Sequence, residues 1–343
     1  MNEALGPLVS ICIPTYNSEK TLRETLCSIV NQTYRNLEIN IIDNASTDDT
    51  LVIAATFNDN RITIYRNKNN VGPERNFNRC IQLASGMFTA IYHADDLYDS
   101  EIVEKQVAFL EANPKAGAVF TEAVLINEIG KRIGEIKLPN ELDSPRRVHN
   151  FKKIFKALLS HSNFLVCPSV MVRTEIYQKE IVNWRDEMFK SSSDLDVWLR
   201  IAMRHLVGIL PLPLILYRIS NIQGSARVRM QTGRADFFLV IDHYLALSDI
   251  RALIDDCDIE NYAKLERRDK VMRAVNIFLK GETEEVASLL DDILSLNALR
   301  AAFQSKRGIC VLVAAIYLRI LLVLRLNNFG RITLIFLKRV LRK

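Results

Sequence analysis

Two adjacent carboxylates at the end of an apolar run are the clearest chemical feature of the sequence. Asp95 and Asp96 follow residues 90–92, which are typical of the end of a buried strand. Hard divalent cations prefer carboxylate oxygens, and Mg²⁺ usually keeps one or two of them and completes its shell with water and phosphate oxygens. The pair therefore favours a site for a divalent cation and a diphosphate. The alternative is that one aspartate caps the helix after Ser100 and the other is solvated.

A second polar group lies at the ends of two other apolar runs. Pro14, Thr15 and Tyr16 end the first run. Asp43 ends the second run. The Asp43 carboxylate can accept hydrogen bonds from a nucleobase imide or a ribose hydroxyl, and the Tyr16 ring can cover a base face. These residues therefore indicate a nucleoside site, although a turn followed by a helix N-cap explains them without any ligand.

A glycine turn marks a third candidate site. Gly72 permits a tight turn, and Arg75 lies just inside the helix that follows. A helix N-terminus with a nearby arginine favours an anion such as phosphate. A glycine turn with one arginine also occurs where no ligand binds.

The elements that must position these residues alternate between strands and helices. We expect a helix capped by Asn17 or Ser18, a second capped within residues 46–49, and a third over residues 74–84. The predicted strands are residues 8–14, 37–43, 61–66 and 88–92. Such repeats imply an α/β fold with a mostly parallel sheet, in which ligands bind beyond the carboxyl ends of the strands.

The rest of the chain follows this pattern more loosely. We expect helices at 101–112, 151–159 and 194–204, strands at 117–121, 169–173, 206–210 and 214–217, and a hairpin within 122–137. From about residue 231 onward the pattern is helical throughout.

Four segments in a fixed order carry a family resemblance. VSICIPTYN, IIDNASTDDT, NNVGPERN and ASGMFTAIYHADD closely resemble the family 2 glycosyltransferases, which have the GT-A fold, and the resemblance covers about residues 8–225. It implies a GT-A domain over residues 1–230, with a donor half to about residue 100 and an acceptor half beyond it. Residues 231–343 would form a helical C-terminal extension.

The resemblance also implies roles for individual residues. Pro14, Tyr16 and Asp43 would hold the base and ribose of a nucleotide-sugar donor, which we expect to be UDP-linked. Asp95 would lie near the ribose and the metal, and Asp96 would ligate Mg²⁺ or Mn²⁺ bridging the diphosphate. The residues expected at the donor site are Pro14, Thr15, Tyr16, Asp43, Gly72, Arg75, Asp95 and Arg218.

The segment SDLDVWLR is similar to the family's E-D-x-D-x-W-x-R stretch, whose first aspartate is the usual catalytic base. That aspartate is Asp194 here, and the dipole of its helix would hold it ionised. It would deprotonate an acceptor hydroxyl while the metal and nearby cations stabilise the departing nucleoside diphosphate. A single displacement of this kind inverts the anomeric centre. The alternative is an N-cap, with Trp198 and Leu199 in the core.

Three positions depart from the family pattern. His93 replaces the first aspartate of D-A-D-D, where it could donate a hydrogen bond behind the metal ligands, ligate weakly or pack, and we favour packing. Ser193 replaces the glutamate before the base. Ser220 replaces the histidine of Y-R-x-H, so Arg218 would carry more of the phosphate charge. The departures also allow an inactive glycan-binding or scaffold protein. A nucleotidyltransferase is a weaker alternative, because residues 14–17 form no glycine-rich basic loop.

Charge is unevenly distributed along the chain. Ten of the 45 basic residues lie after Asp292, where no acidic residue occurs, so residues 1–292 have 35 basic and 40 acidic residues. This asymmetry argues against a nucleic-acid surface on the body of the protein and for an anionic partner of the tail. The six cysteines include no CxxC pair, and no signal sequence is visible, so we expect buried free thiols and a cytoplasmic protein.

The tail has the pattern of a helix at a membrane surface. Residues 310–318 are apolar, but Arg319 interrupts them before a span of about 20 residues is reached. Further on, Arg331, Lys338, Arg339, Arg342 and Lys343 fall within an arc of about 140°, opposite Leu334, Phe336, Leu337, Val340 and Leu341. The separation is imperfect, since Ile332 and Ile335 also fall within the basic arc. We expect peripheral binding to an anionic membrane, where a glycan or lipid-linked acceptor for cell-surface polysaccharide would lie. The alternative is a helix docked on the body or in a homodimer.

Overall fold

The computed structural model divides the chain into two compact units. The first contains Met1–Leu158 and Asn163–Ser220, and the second Leu159–Ser162 and Asn221–Lys343. The structure describes residues 6–144, 147–219, 230–291, 293, 298–299, 302–303 and 305–340, with the side chains of residues 186 and 336–340 left out. The boundary predicted at residue 230 stays a prediction, since residues 220–229 lie outside the described parts.

The first unit contains a ten-stranded sheet. Its main path runs in the order β3-β2-β1-β4-β9-β6-β10-β5, with β7 beside β6 and β8 beside β10. The strands are β1 Val9–Thr15, β2 Leu37–Asp43, β3 Ile62–Arg66, β4 Phe88–Ile91, β5 Leu97–Tyr98, β6 Ala116–Ile126, β7 Arg132–Ile136, β8 Val148–His149, β9 Met171–Arg173 and β10 Leu206–Arg218.

The sheet is mixed rather than mostly parallel. Strands β1 to β4 pair in parallel, as the strand–helix repeats predict. Strand β9 then pairs antiparallel with both β4 and β6, and β5, β7 and β8 are also antiparallel to their neighbours. The expectation of two strands around Pro211 and Pro213 was wrong. Both prolines lie within the single strand β10, which accommodates them through shifts in its register with β6.

The helices of the first unit cover the sheet and fill its crossovers. They are α1 Leu22–Val30, α2 Thr50–Ala55, α3 Pro73–Leu83, α4 Ile102–Ala112, α5 Phe151–His161, α6 Thr174–Ile176, α7 Asp186–Phe189 and α8 Ser193–Arg204. The predicted cap of the first helix was wrong, because α1 begins after Thr21 rather than after Asn17 or Ser18. The side chain of Asn17 is used elsewhere, as described below. Buried residues of β1, β2, β4 and β6 pack with α1 and α4 to form the main core.

The second unit is helical over its described residues, as predicted. Its helices are α9 Asp236–Leu245, α10 Ser248–Arg251, α11 Asp256–Lys280, α12 Glu284–Asp291, α13 Lys306–Val323 and α14 Asn327–Val340. Helix α11 begins with a capping box formed by Asp255 and Asp258 and ends at Gly281, whose φ is 95°. Apolar side chains of α11 to α14 form a separate core.

The prediction of buried thiols is right for part of the set. Cys12 and Cys80 are buried, Cys167 is partly buried, and Cys27, Cys257 and Cys310 are exposed. The exposed thiols lie on helical faces that point to solvent, which an apolar run in the sequence does not reveal.

Candidate active site

The ends of β1 and β2 place the predicted nucleoside residues side by side. Thr15 and Asp43 are paired in register as the last residues of the two strands. The buried Asp43 carboxylate accepts hydrogen bonds from the Ser46 amide, at 3.1 Å, and from Thr15 Oγ1, at 3.4 Å. Pro14 precedes them within β1, and the Tyr16 side chain is 48% exposed. The carboxylate is therefore fixed, while the adjacent phenol ring is open to solvent.

The two loops after these strands are tied together by side chains. The backbone amide of Asn17 donates to Ser46 Oγ at 2.9 Å. The side-chain oxygen Oδ1 of Asn17 accepts from the backbone amide of Thr47, also at 2.9 Å. Asn17 and Ala45 have φ values of 49° and 61°. Asparagine tolerates this left-handed conformation, but alanine rarely adopts it. Unusual backbone of this kind persists where surrounding contacts hold it, and it is concentrated at functional sites.

Asn44, which the sequence analysis did not single out, joins the β2 end to the glycine turn. Its side-chain amide donates to Asn70 Oδ1, at 2.9 Å, and to the Gly72 carbonyl, at 3.2 Å, and its Oδ1 accepts from the Val71 amide. Gly72 has φ 88° and directly precedes α3, and Arg75 is exposed in the first turn of that helix. The structure thus brings the turn predicted to bind phosphate next to the Asp43 loop.

The paired carboxylates lie between β4 and β5, with His93 beside them. One ligating atom each from His93, Asp95 and Asp96 lies within 4.8 Å of the others. His93 Nδ1 is 3.9 Å from Asp96 Oδ2, and its ring is 5.8 Å from that of Phe77. The interpretation of His93 as a packing residue is therefore incomplete, because the same ring borders the carboxylates.

The chemistry of this cluster fits a divalent cation. Asp96 is fully buried, and its Oδ2 accepts no hydrogen bond from the described residues. Burial, followed by the charge of Asp95, raises the pKa of Asp96 well above its usual range. Burial also lowers the pKa of His93, which favours the neutral imidazole that ligates metals. A bound cation would compensate the buried oxygen, so the donor set suits Mg²⁺ or Mn²⁺.

Arg218 holds the backbone of this loop. Its amide donates to Asp96 Oδ1 at 2.7 Å, and its guanidinium donates to the carbonyls of Asp95 and Glu128 and to the Glu24 carboxylate. The side chain is 5% exposed. Arg218 therefore acts as a clamp on the carboxylate loop in this structure, and its predicted phosphate contact stays a prediction. Ser220 lies outside the described residues.

Asp194 lies in the first turn of α8 and is partly buried. The N-cap position belongs to Ser192, so the simple N-cap interpretation of Asp194 was wrong. Burial raises the pKa of Asp194 to about 6, against the opposing hydrogen bond from the Leu195 amide. Burial therefore opposes the predicted effect of the helix dipole, and a carboxyl with this pKa is still mostly ionised at neutral pH. A pKa near the working pH nevertheless suits a general base.

Two side chains connect Asp194 electrostatically with the carboxylate pair. Burial and the charges of Asp96, Asp95 and Asp194 raise the pKa of the Tyr217 phenol. Burial, Asp194 and Asp96 likewise raise the pKa of the Cys167 thiol. Electrostatic interactions with Asp194 and Asp96 are thus common to these two buried side chains.

An ion-pair cluster that the sequence analysis missed supports α8. The buried Asp196 carboxylate accepts from Arg200 Nε at 3.0 Å and from two guanidinium nitrogens of Arg185. Arg200 also donates to the carbonyls of Ile181 and Asn183. The i, i+4 spacing of Asp196 and Arg200 was visible in the sequence, whereas the contribution of Arg185 depends on the tertiary fold.

Comparison with known proteins identifies the family. The protein has the GT-A fold, and the chain belongs to Glycosyl transferase family 2, whose profile matches residues 10–180. It is 33% identical to an uncharacterised glycosyltransferase of Methanocaldococcus jannaschii, over 63% of this chain and 72% of the relative. It is also 33% identical to the putative glycosyltransferase EpsE of Bacillus subtilis, over 69% of this chain and 81% of the relative.

Solved structures share the fold. Residues 1–349 of S. aureus TarS, in complex with UDP-GlcNAc, align with a TM-score of 0.56 and 18% identity over 91% of each chain. The mannosyltransferase PcManGT of Pyrobaculum calidifontis, in complex with GDP-Man and Mn²⁺, aligns with a TM-score of 0.52 and 19% identity, over 91% of this chain and 86% of the other. Among the described residues, no helix is long and apolar enough to cross a membrane.

Proposed function

We propose that the protein is an inverting, metal-dependent glycosyltransferase that moves a sugar from a nucleoside diphosphate, in our expectation UDP, to a hydroxyl group of a glycan or lipid-linked acceptor. The observation that carries the proposal is the buried Oδ2 of Asp96 beside Asp95 and His93, an oxygen that accepts no hydrogen bond from the described part of the chain. Family membership and two fold neighbours solved with nucleotide sugars support the donor class.

The donor would lie along the carboxyl ends of the parallel strands. Asp43 would accept from the base or ribose, and Tyr16 would cover the base. Gly72 and Arg75 would approach the phosphates from the N-terminus of α3, where backbone amides and the helix dipole favour an anion. Strands β1 and β2 and the loop held by Asn44 fix these groups before the donor binds, which lowers the entropic cost of binding.

Asp95 and Asp96 would hold Mg²⁺ or Mn²⁺, which neutralises the charge that develops on the departing diphosphate. Asp194 would accept the proton of the acceptor hydroxyl as this oxygen attacks the anomeric carbon and the bond to the phosphate oxygen breaks. Because attack and departure occur in one displacement, the anomeric configuration inverts. Residues 101–230 would supply the acceptor side of the pocket.

The biological setting is also part of the proposal. A lipid-linked acceptor lies at a membrane, and the basic, acid-free stretch after Asp292 would bring the enzyme to an anionic membrane surface on the cytoplasmic side. Synthesis of cell-surface polysaccharide fits that location and substrate class.

The test is a donor screen with the full-length protein. Release of nucleoside diphosphate from a panel of UDP- and GDP-sugars is measured with Mn²⁺, with Mg²⁺ and with EDTA. We expect metal-dependent release from one donor, accelerated by its acceptor. A protein that binds a glycan but neither binds nor cleaves any donor would instead be the inactive scaffold.

A further inference from the structure

Helix α13 carries an apolar stripe on its exposed side. Five apolar residues recur at intervals of three and four and fall within an arc of about 80°. We call them the α13 stripe: Ile309, Val313, Ile316, Ile320 and Val323, with exposed fractions between 39% and 73%. Regular spacing on one face distinguishes this surface from scattered exposed apolar residues, which need no explanation.

The opposite face of α13 accounts for how the helix is held. Leu312, Ala315, Leu318 and Leu321 are buried, and the last three belong to the core of the second unit. The helix therefore satisfies its packing with one face and leaves the α13 stripe uncovered among the described residues. Arg319 lies beside the stripe, where its guanidinium pairs with Asp291 at 2.7 Å.

Helix α14 also exposes apolar residues, and the position of Leu334 differs from its predicted one. Leu334, expected on the membrane side, is buried in the core, whereas Ile332 and Ile335 are exposed. The Tyr317 and Thr333 hydroxyls share a hydrogen bond that joins α13 to α14. The exposed apolar residues between the end of α13 and residue 335 are Leu324, Leu326, Phe329, Ile332 and Ile335. Leu341, Arg342 and Lys343, which belong to the predicted amphipathic pattern of the tail, lie outside the described residues.

The charge around this surface indicates what covers it. Lys306 and Arg307 are exposed at the start of α13, and Arg325 is exposed just after its end. The sequence contains no acidic residue after Asp292. A helix with an apolar face and flanking cations matches an anionic membrane interface, where the apolar face is buried and the cations meet lipid head groups.

We infer that the α13 stripe, together with the exposed Phe329, Ile332 and Ile335 of α14, is the surface that enters an anionic lipid interface, with α13 lying in the membrane plane. This inference rests on the proposed membrane attachment and is independent of the proposed chemistry. It adds α13 to the predicted basic arc of the tail, which stays a prediction.

Co-sedimentation with vesicles tests the surface. The full-length protein is mixed with vesicles of phosphatidylcholine alone or of phosphatidylcholine with anionic phosphatidylglycerol, since binding of such helices is sensitive to lipid composition. We expect binding to the anionic vesicles only. Val313→Glu/Ile320→Glu should weaken this binding about tenfold or more, because it places charge in the stripe. The control Val52→Glu/Ile129→Glu makes the same charge change at two exposed apolar residues of the first unit and should bind like the parent.

Tryptophan quenching measures insertion without disrupting the surface. Val323→Trp should be quenched by brominated lipid in anionic vesicles, whereas Val52→Trp should not, and the native Trp184 and Trp198 are buried. Absence of quenching at residue 323, or equal binding by the stripe variant and the parent, would overturn the inference. The inference would also be overturned if ultracentrifugation without lipid showed that the parent is a dimer and that the variant Val313→Glu/Ile320→Glu is a monomer. Failure of the parent to bind any vesicle would reject membrane attachment itself, while nucleotide binding measured in parallel reports separately on the proposed chemistry.

Discussion

The backbone amide of Arg218 donates a 2.7 Å hydrogen bond to Oδ1 of Asp96, across 122 residues of the chain. This contact ties the last residue of β10 to the loop that follows β4. The fold therefore fixes one oxygen of Asp96, and leaves Oδ2 without a hydrogen bond from the described residues. A buried carboxylate held in this way is prepared for a ligand that the protein itself does not supply.

The hydrogen bonds of Arg218 to the carboxylate loop should affect how tightly the protein binds UDP in the presence of Mn²⁺. Arg218→Lys keeps the charge but loses the directional bonds to the Asp95 and Glu128 carbonyls. We expect UDP affinity in Mn²⁺ to fall about tenfold, the scale of outer-shell changes at metal sites. The matched control is Arg61→Lys, since Arg61 also joins a carboxylate to a carbonyl, at a distant place. UDP affinity in Mn²⁺ is measured by calorimetry. An equal loss of UDP affinity in both variants would mean that Arg218 supports the stability of the fold and has no specific role at the metal site.

Asp194→Asn should separate catalysis from donor binding. The amide keeps the shape of the side chain but cannot take a proton, so turnover should fall about a hundredfold or more. The donor dissociation constant should stay within about twofold of the parent's. The parent's rate should also decline with acidity below about pH 6, where Asp194 becomes protonated. If donor affinity falls as far as turnover, Asp194 belongs to the donor site.

The same residue should cost stability at neutral pH. Its folded-state pKa of about 6 lies above the ordinary value of 3.8, so the folded protein holds the proton more tightly than the unfolded chain. The penalty for burying the charge is therefore absent at low pH and develops as pH rises through about 4 to 6. Asp194→Asn should melt above the parent at pH about 7.5 and near it at pH about 4. If the melting temperature of Asp194→Asn exceeded that of the parent by the same amount at both pH values, the Asp194 carboxylate would not be a buried charge.

Two glycines provide a matched pair for the phosphate loop. Gly72 and Gly130 have φ values of 88° and 77°, and a Cβ on either would meet no atom within 4 Å. Alanine at either position should cost about 1 kcal/mol of unfolding free energy through backbone strain alone. Only Gly72→Ala should also weaken donor binding, because Gly130 lies in the β6–β7 turn. If Gly72→Ala and Gly130→Ala bound the donor with equal affinity, the Gly72 turn would not be part of the donor site.

The sequence predicted those elements whose signals are local. The carboxyl ends of β1, β2 and β4 could be placed because apolar runs stop there at polar residues. Strand β10 was divided in two because Pro211 and Pro213 usually interrupt a ladder, and a register shift that tolerates them is decided by the neighbouring strand. The start of α1 was misplaced because Asn17 uses its side chain to bind the Ser46–Thr47 loop instead of capping the helix.

The site was predictable in its residue types but not in its connections. The predicted carboxylates and base come from motif resemblance, whereas their shared electrostatic influence on Tyr217 and Cys167 depends on the fold. The bonds of Arg218 to the carboxylate loop join segments that are distant in sequence, and Arg185 reaches Asp196 from 11 residues earlier without helical spacing, so only tertiary contacts reveal them. The sequence indicated an ionised Asp194 from the helix dipole, whereas the burial that raises its pKa depends on the tertiary fold.

Calorimetric titration of UDP into the full-length parent and into Asp96→Asn, each with Mn²⁺ and with EDTA, tests the central claim that Asp96 holds a cation for the donor diphosphate. The control is Asp99→Asn, a nearby exposed carboxylate. The parent and the control should bind UDP at least tenfold more tightly with Mn²⁺ than with EDTA, and Asp96→Asn should show no such difference. If Asp96→Asn, with its fold intact by circular dichroism, binds UDP with the same Mn²⁺ dependence as the parent, the metal site lies elsewhere and the account is wrong.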